Sequence, residues 1–157
     1  MLFNLSARTR YLMAGDPHVS AAFLDQLSHS HEPSVRARVA EHQNTPLGTL
    51  FRLVQDDDVE VRQGLAFNPN RTSVLLRLLA EDDDPDVRYL IAEDTQAPPA
   101  ILHFLSDDEN PYVAHRAQQT LSRFSKVTNL GQLSAWMNRN LPLTGGLRVP
   151  SQAAVNS

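Results

Sequence analysis

The sequence predicts an all-α repeat protein made of stacked helix pairs, and three observations carry that prediction. First, laid on itself at a spacing of 26 residues, the chain aligns Val35, Val61, Val87 and Val113, and equally Ala14, Ala40, Ala66 and Ala92. Leu24, Leu50, Leu76 and Leu102 share a further column, as do Leu27, Leu53, Leu79 and Leu105. A fixed period of this length marks units that bury their apolar faces only against their neighbours. Second, within each period apolar residues recur twice at helical spacing, with a cluster of turn formers between them. Third, no segment alternates with period two, so no strand is predicted.

In chain order, the repeats are 7–32, 33–58, 59–84, 85–110 and the incomplete 111–124. The first is imperfect: Thr9 stands where later repeats carry Val, Gly15-Asp16-Pro17 breaks the first helix, and Leu2, Phe3 and Leu5 would cover its open face. End repeats differ from internal ones because one face meets water or a cap. In the next three, Val35, Val39 and Ala40, then Val61, Leu65 and Ala66, then Val87, Ile91 and Ala92 mark a first helix. Gln43-Asn44-Thr45-Pro46, Asn68-Pro69-Asn70 and Asp94-Thr95-Gln96 supply the turns. Leucine stripes then give a second helix, with Pro46, Pro98 and Pro99 at its first turn, where a missing N–H costs nothing.

From 111 the pattern changes. Val113, Ala117, Leu121 and Phe124 continue at helical spacing, which predicts one uninterrupted helix. A capping helix is expected at 130–139, carrying Leu133, Trp136 and Met137, so that 1–140 forms a single repeat domain. Residues 141–157, small and polar with paired glycines, are expected to be a disordered tail.

At 157 residues, 41% hydrophobic and 20% charged, the chain has enough apolar material for one continuous core. It has no cysteine, which excludes disulfides, thiolate metal sites and cysteine nucleophiles. The start MLFNLSARTR lacks a signal-peptide pattern and no segment has the length of a membrane span, so a cytoplasmic protein without membrane partners is expected.

The segments VRARVAEHQNTPLGTLFRLVQD and VRQGLAFNPNRTSVLLRLLAED resemble the leucine-rich repeat variant family, whose loose consensus runs Val-Arg, Val-Ala, Asn-Pro, Thr-Pro, Leu and Leu-Ala-Asp. The resemblance covers about residues 9–116. It implies a right-handed α-solenoid, similar to HEAT and armadillo arrays and mostly bacterial; with the 26-residue period and the changed C-terminal pattern, the expected architecture is about four and a half helix-pair repeats with a C-terminal capping helix. The spacing is longer than the family's usual two dozen. The cysteine-rich iron–sulfur segment of some members is absent, so no cluster or other cofactor is expected.

Arg10, Arg36, Arg62 and Arg88 occupy one column. Arginine forks match phosphate, but one arginine per repeat in register is what stacking selects, so a structural ladder pairing with acids of the neighbouring repeat is expected. The runs Asp56-Asp57-Asp58, Asp82-Asp83-Asp84 and Asp107-Asp108-Glu109 lack the spaced calcium loop and read as helix caps and solvated edges. The histidines, His18, His29, His31, His42, His103 and His115, lack metal-ligand spacing and read as surface residues. No nucleophile elbow, phosphate loop or zinc-protease motif occurs, so no enzyme is expected.

Function is therefore sought on the surface. First-helix positions that vary between repeats carry Tyr11, Arg38, Phe67, Tyr89, His115 and Arg116, aromatic and arginine residues of the kind that anchor interfaces. They predict a non-catalytic scaffold or adaptor holding a protein partner, on the concave face by analogy with HEAT repeats. The charge is also polar: residues 85–110 carry −5 and residues 111–157 carry +5, with no acid after Glu109. That basic end either lies against the acidic fourth repeat or docks an acidic partner, and it makes nucleic-acid association the alternative function. A HEAT-like DNA glycosylase or lyase stands third, on fold analogy alone.

Overall fold

The computed structural model describes residues 5–127, with side chains to 123, and every regular element among them is helical. In order these are α1 (Ala7–Ala14), α2 (Ala21–Leu27), α3 (Pro33–Glu41), α4 (Leu47–Leu53), α5 (Val59–Ala66), α6 (Ser73–Ala80), α7 (Pro85–Glu93), α8 (Pro99–Leu105) and α9 (Pro111–Val127). The expected capping helix at 130–139, the tail at 141–157, and Leu2 and Phe3 lie outside the described residues. The chain up to Ser122 forms one compact unit; Arg123 onward belongs to a second.

Local chemistry starts each helix. The Ser6, Ser20 and Thr72 hydroxyls accept the backbone N–H three residues on, and the Asp58 and Asp84 carboxylates accept the N–H two residues on. Each bond satisfies one of the donors that a helix start leaves open. Pro33, Pro85 and Pro99 occupy first-turn positions, whereas Pro46 and Pro98 stand one step earlier, as the N-caps of α4 and α8. There the ring fixes φ in an extended conformation just before the helix begins.

Packing follows the columns. The odd-numbered helices pack on one another, α1 on α3, α3 on α5 and α5 on α7, while α2, α4 and α6 each pack against the odd helices before and after them and α8 packs against α7. Val35, Val61 and Val87 are fully buried, as are Leu24, Leu50 and Leu102, with Leu27, Leu53, Leu79 and Leu105 beside them. Each such leucine contributes roughly 1.5–3 kcal/mol of transfer free energy. The contact of α3 with α5 is closest at Gly64, where a Cβ would stand 2.9 Å from the Ala37 carbonyl oxygen and 3.2 Å from the Ala40 Cβ. Gly64 therefore belongs to the helix–helix seam, although Arg38, which shares its column, is half-buried at the surface. His42 departs from the surface reading of the histidines: it is only 8% exposed, with both ring nitrogens bonded to backbone.

The two helical glycines give opposite expectations. Gly64→Ala inserts a methyl against a backbone carbonyl and lowers stability by about 1–3 kcal/mol despite its better helix propensity. Gly48→Ala, where nothing lies within 4 Å, raises it by about 0.5–1 kcal/mol. Urea unfolding followed by circular dichroism measures both; equal midpoints for the two variants would refute the close approach of α3 and α5.

Candidate functional site

Two bonded ladders frame the surface on which a partner could act. The first is built on the arginine column. Arg36 Nε and Nη2 donate to the two carboxylate oxygens of Asp56, both at 2.8 Å, and Nη1 donates to the Ser30 carbonyl at 2.8 Å. Arg62 repeats this on Asp82 at 2.7 and 3.1 Å and on the Asp56 carbonyl at 2.7 Å. Arg88 repeats it again on Asp108 at 2.8 and 2.9 Å and on the Asp82 carbonyl at 2.8 Å. Each aspartate also accepts the N–H two residues on, from Asp58, Asp84 and Asn110. Because Asp56 and Asp82 each receive one arginine on the side chain and the next on the backbone, the bonds form one continuous chain from Ser30 to Asp108.

The ladder changes at its start. Ser30 occupies the aspartate column, so Arg10 reaches instead to Glu32, at 2.6 Å, and the Ser30 hydroxyl donates to the same carboxylate oxygen. Arg10 Nε is left buried without a partner. At the far end the column holds Ala114 and the forks stop.

Electrostatics follow from this geometry. Burial raises the Asp56 carboxyl, but the bonds from Arg36 and the Asp58 N–H, with the charges of Arg36 and Arg62, outweigh it and hold it below the usual carboxylate range. Asp108 is lowered in the same way, against its burial, by Arg88 and the Asn110 N–H.

The second ladder runs along the C-terminal ends of the first helices, in the column His42, Asn68, Asp94, Thr120. His42 Nε2 donates to the Asp16 carbonyl at 2.9 Å while Nδ1 accepts the Asn44 N–H at 3.0 Å, which the neutral Nε2–H tautomer satisfies. Asn68 donates to the carbonyls of Ala40 and His42, and Thr120 to that of Ala92. Asp94 lacks a donor. Its place is filled by Arg71, which bonds the Asn68 carbonyl at 3.1 Å and the Asp94 carboxylate at 2.6 Å. The carbonyls of Asp16, Ala40, His42 and Ala92 thus find donors in the next repeat, while that of Asn68 is bonded by Arg71 of its own repeat, which reaches on to Asp94. Four residue types share this role, so no column identity announces it; the available signal is that His42, Asn68 and Asp94 each cap the N–H two residues on.

Between the ladders lie the variable first-helix residues. Tyr11 is 42% exposed and the Arg38 guanidinium sits 5.8 Å from its ring centre. Arg38 also bonds Glu41 at 3.1 Å. A side chain at Gly15 would collide with it, a Cβ there standing 2.8 Å from Arg38 Nε. Phe67, at the end of α5, is 61% exposed, and Tyr89 on α7 is half-buried. His115 is exposed, and Arg116 is half-buried and paired with Glu93 at 3.1 Å. The fold therefore joins Tyr11 to Arg38 across the first two repeats and Arg116 to Glu93 across the last two. The sequence reading missed a second set of exposed apolar residues, Leu47, Phe51, Val74, Leu78 and Phe104, on α4, α6 and α8. Among the described residues no group of three or more His, Cys, Asp or Glu side chains is placed to hold a metal ion, and no helix is long and apolar enough to cross a membrane.

Removing one rung leaves a nearly buried carboxylate and a backbone carbonyl unpaired. Arg62→Ala is expected to cost about 2–4 kcal/mol, and Arg62→Lys, which keeps the charge but loses the fork, about half as much; unchanged melting of both would refute a structural ladder. Asp56 and Asp108 titrate lower in the folded chain than in the unfolded one. Their contribution is therefore complete above the unfolded carboxylate pKa, about 4, and is lost as pH falls through the lower folded values. Stability measured from pH 6 to 2 should fall in that acid window, and Asp56→Asn should flatten the slope.

Comparison with protein-family models, with curated proteins and with solved structures gives no match to this chain, so its function is read from its own side chains.

Proposed function

We propose that this chain is a non-catalytic, cytoplasmic protein-binding module: a right-handed α-solenoid that offers the exposed first-helix residues to a protein partner. The observation that carries the proposal is the division between positions on the same helices. Those that repeat every 26 residues are buried or bonded into the ladders, whereas the columns Tyr11, Ala37, Gln63, Tyr89, His115 and Gly15, Glu41, Phe67, Glu93, Gln119 change character along the chain, and in them Tyr11 and Phe67 leave large aromatic faces in water. A stack has no use for an exposed ring, while an interface core is enriched in them. Arg38, already stacked on Tyr11, His115 and Arg116 form the polar rim, and Tyr89 is a half-covered second anchor.

The forks support the solenoid reading. Three successive arginines reach an aspartate 20 residues ahead in the same geometry, and a constant step between rigid units generates a superhelix. Its handedness is that of the leucine-rich repeat variant, HEAT-like arrays. The close approach of α3 and α5 at Gly64 favours the first helices as the inner, concave side, because the inner helices of a curved stack lie nearest each other. Nucleic-acid association through the basic residues after Glu109 remains the second reading, and a catalytic one has no constellation behind it.

Affinity purification with the wild-type chain and with a Tyr11→Ala/Phe67→Ala variant tests the proposal. The variant should keep wild-type melting and lose a stoichiometric partner that the wild type holds. Retention of the partner, or binding to DNA or RNA that weakens steeply with salt while no protein is held, would overturn it.

A further inference from the structure

Two consecutive clefts open along the edge that carries the arginine ladder, and they are the same cleft one repeat apart. The first, about 490 Å³, has Leu78 and Val54 beside the Arg62–Asp82 fork and is rimmed by Asp57, Glu81 and Asp83. The second, about 540 Å³, has Phe104 and Ala80 beside the Arg88–Asp108 fork and is rimmed by Glu81, Asp83, Asp107 and Glu109. Leu78 and Phe104 are 38% and 42% exposed, and the rim carboxylates are exposed, Glu109 at 90%. The inward aspartates are committed to arginines, but the rims of Asp57, Asp83 and Asp107 take no part in the forks.

One cation already shows what these surroundings accept. Arg77 lies 4.3 Å from the centre of the Phe104 ring and 2.7 Å from a carboxylate oxygen of Glu81, so an aromatic face and a carboxylate jointly hold a guanidinium. The repeat before breaks the pattern in the opposite sense. Arg52 stands in the column of Leu78 and Phe104 and is tied to Asp25 and Ser28, while His29 and His31 replace the rim acids. The apolar, acid-rimmed groove therefore has a defined end between α4 and α6.

We propose that these two clefts form a docking groove for an extended basic segment of a protein partner, with apolar side chains resting on Leu78 and Phe104 and lysine or arginine side chains against the carboxylate rims. Charge complementarity selects the occupant: five carboxylates around an apolar floor repel nucleic acid and anionic lipid and attract cations. Packed helices stand about 8–10 Å apart, and a segment in the polyproline II conformation advances about 3.1 Å per residue with three residues per turn, so that side chains three apart share a face. The apolar side chains of the segment are therefore spaced about three residues apart, with basic residues between. This groove is distinct from the Tyr11 and Phe67 surface and stands or falls separately.

The test is anisotropy of a fluorescein-labelled peptide, Gly-Lys-Leu-Lys-Lys-Leu-Lys-Gly, titrated with the full chain. Binding should weaken as salt rises. A rearranged peptide with adjacent leucines should bind several-fold less well. The exposed-rim variant Asp57→Asn/Asp83→Asn/Asp107→Asn should weaken binding about tenfold, as the loss of three exposed charge contacts implies. Leu78→Ser/Phe104→Ser should weaken it similarly. Tyr11→Ala/Phe67→Ala should leave it unchanged. The rim substitutions sit on exposed side chains outside the forks, and matching melting curves exclude unfolding as the cause. Equal affinity for the two peptides, indifference to the rim variant, or tighter binding of a single-stranded RNA oligonucleotide than of the peptide would overturn the proposal.

Discussion

The structure depends on one contact made three times, the two-pronged bond from an arginine on α3, α5 and α7 to an aspartate at the end of the same repeat. The aspartate stands in the loop that leads into the next helix, and its backbone carbonyl receives the following arginine. Each fork thus fixes where the next helix begins. Apolar burial would tolerate small slips between neighbouring helix pairs, since leucine against leucine is nearly indifferent to sliding. A planar guanidinium on a planar carboxylate is not. The forks set register while the columns of valine, alanine and leucine supply the burial, and neither alone specifies the stack.

Both ends of the first helices are tied in this way, one by the arginine column and the other by His42, Asn68, Arg71 and Thr120. The second helices are tied less. Their inner faces carry the leucines, but their cross-repeat ties do not recur: Thr49 and Arg52 of α4 bond Asp25 and Ser28, whereas α6 and α8 meet through Arg77 over the Phe104 ring. The second-helix surface is therefore where this chain differs most from one repeat to the next.

Much of this was legible in the sequence because stacking imposes identity. Val35, Val61 and Val87 recur because each fills the same buried volume, and the arginines recur because each meets the same aspartate. What did not repeat was harder to read. Ser30 breaks the aspartate column, and nothing in the spacing indicates that Glu32 takes its partner. Carbonyl capping falls to His42, Asn68 and Thr120 of one column and, where that column holds Asp94, to Arg71 from outside it, chemically unlike residues with one shared ability to donate a hydrogen bond, so a search for identical letters passes over them. His42 reads as a surface residue because the histidines lack metal-ligand spacing, and spacing carries no sign of the Asp16 carbonyl it bonds. The glycine at 64 is the inverse case: one letter in a variable column whose meaning, a close approach of two backbones, appears only when α3 and α5 are set side by side.

The same logic gives the variable positions their value. In a repeat array the fold asks the same thing of each column, so a column that changes character along the chain is answering to something else. The column Gln26, Arg52, Leu78, Phe104 passes from polar through charged to apolar, while the rim beside it passes from His29 and His31 to Asp57, Asp83 and Glu109. Both changes run in one direction and meet at the same clefts. Packing cannot cause them, because the forks beneath are unchanged from Arg36 to Arg88. An apolar floor beside an increasingly acidic rim is chemically matched to a basic, partly apolar partner segment and mismatched to a polyanion. The gradient also gives that segment a polarity, since only one end of the edge offers the groove, and an occupant seated on Phe104 and Leu78 runs out of complementary surface at Arg52.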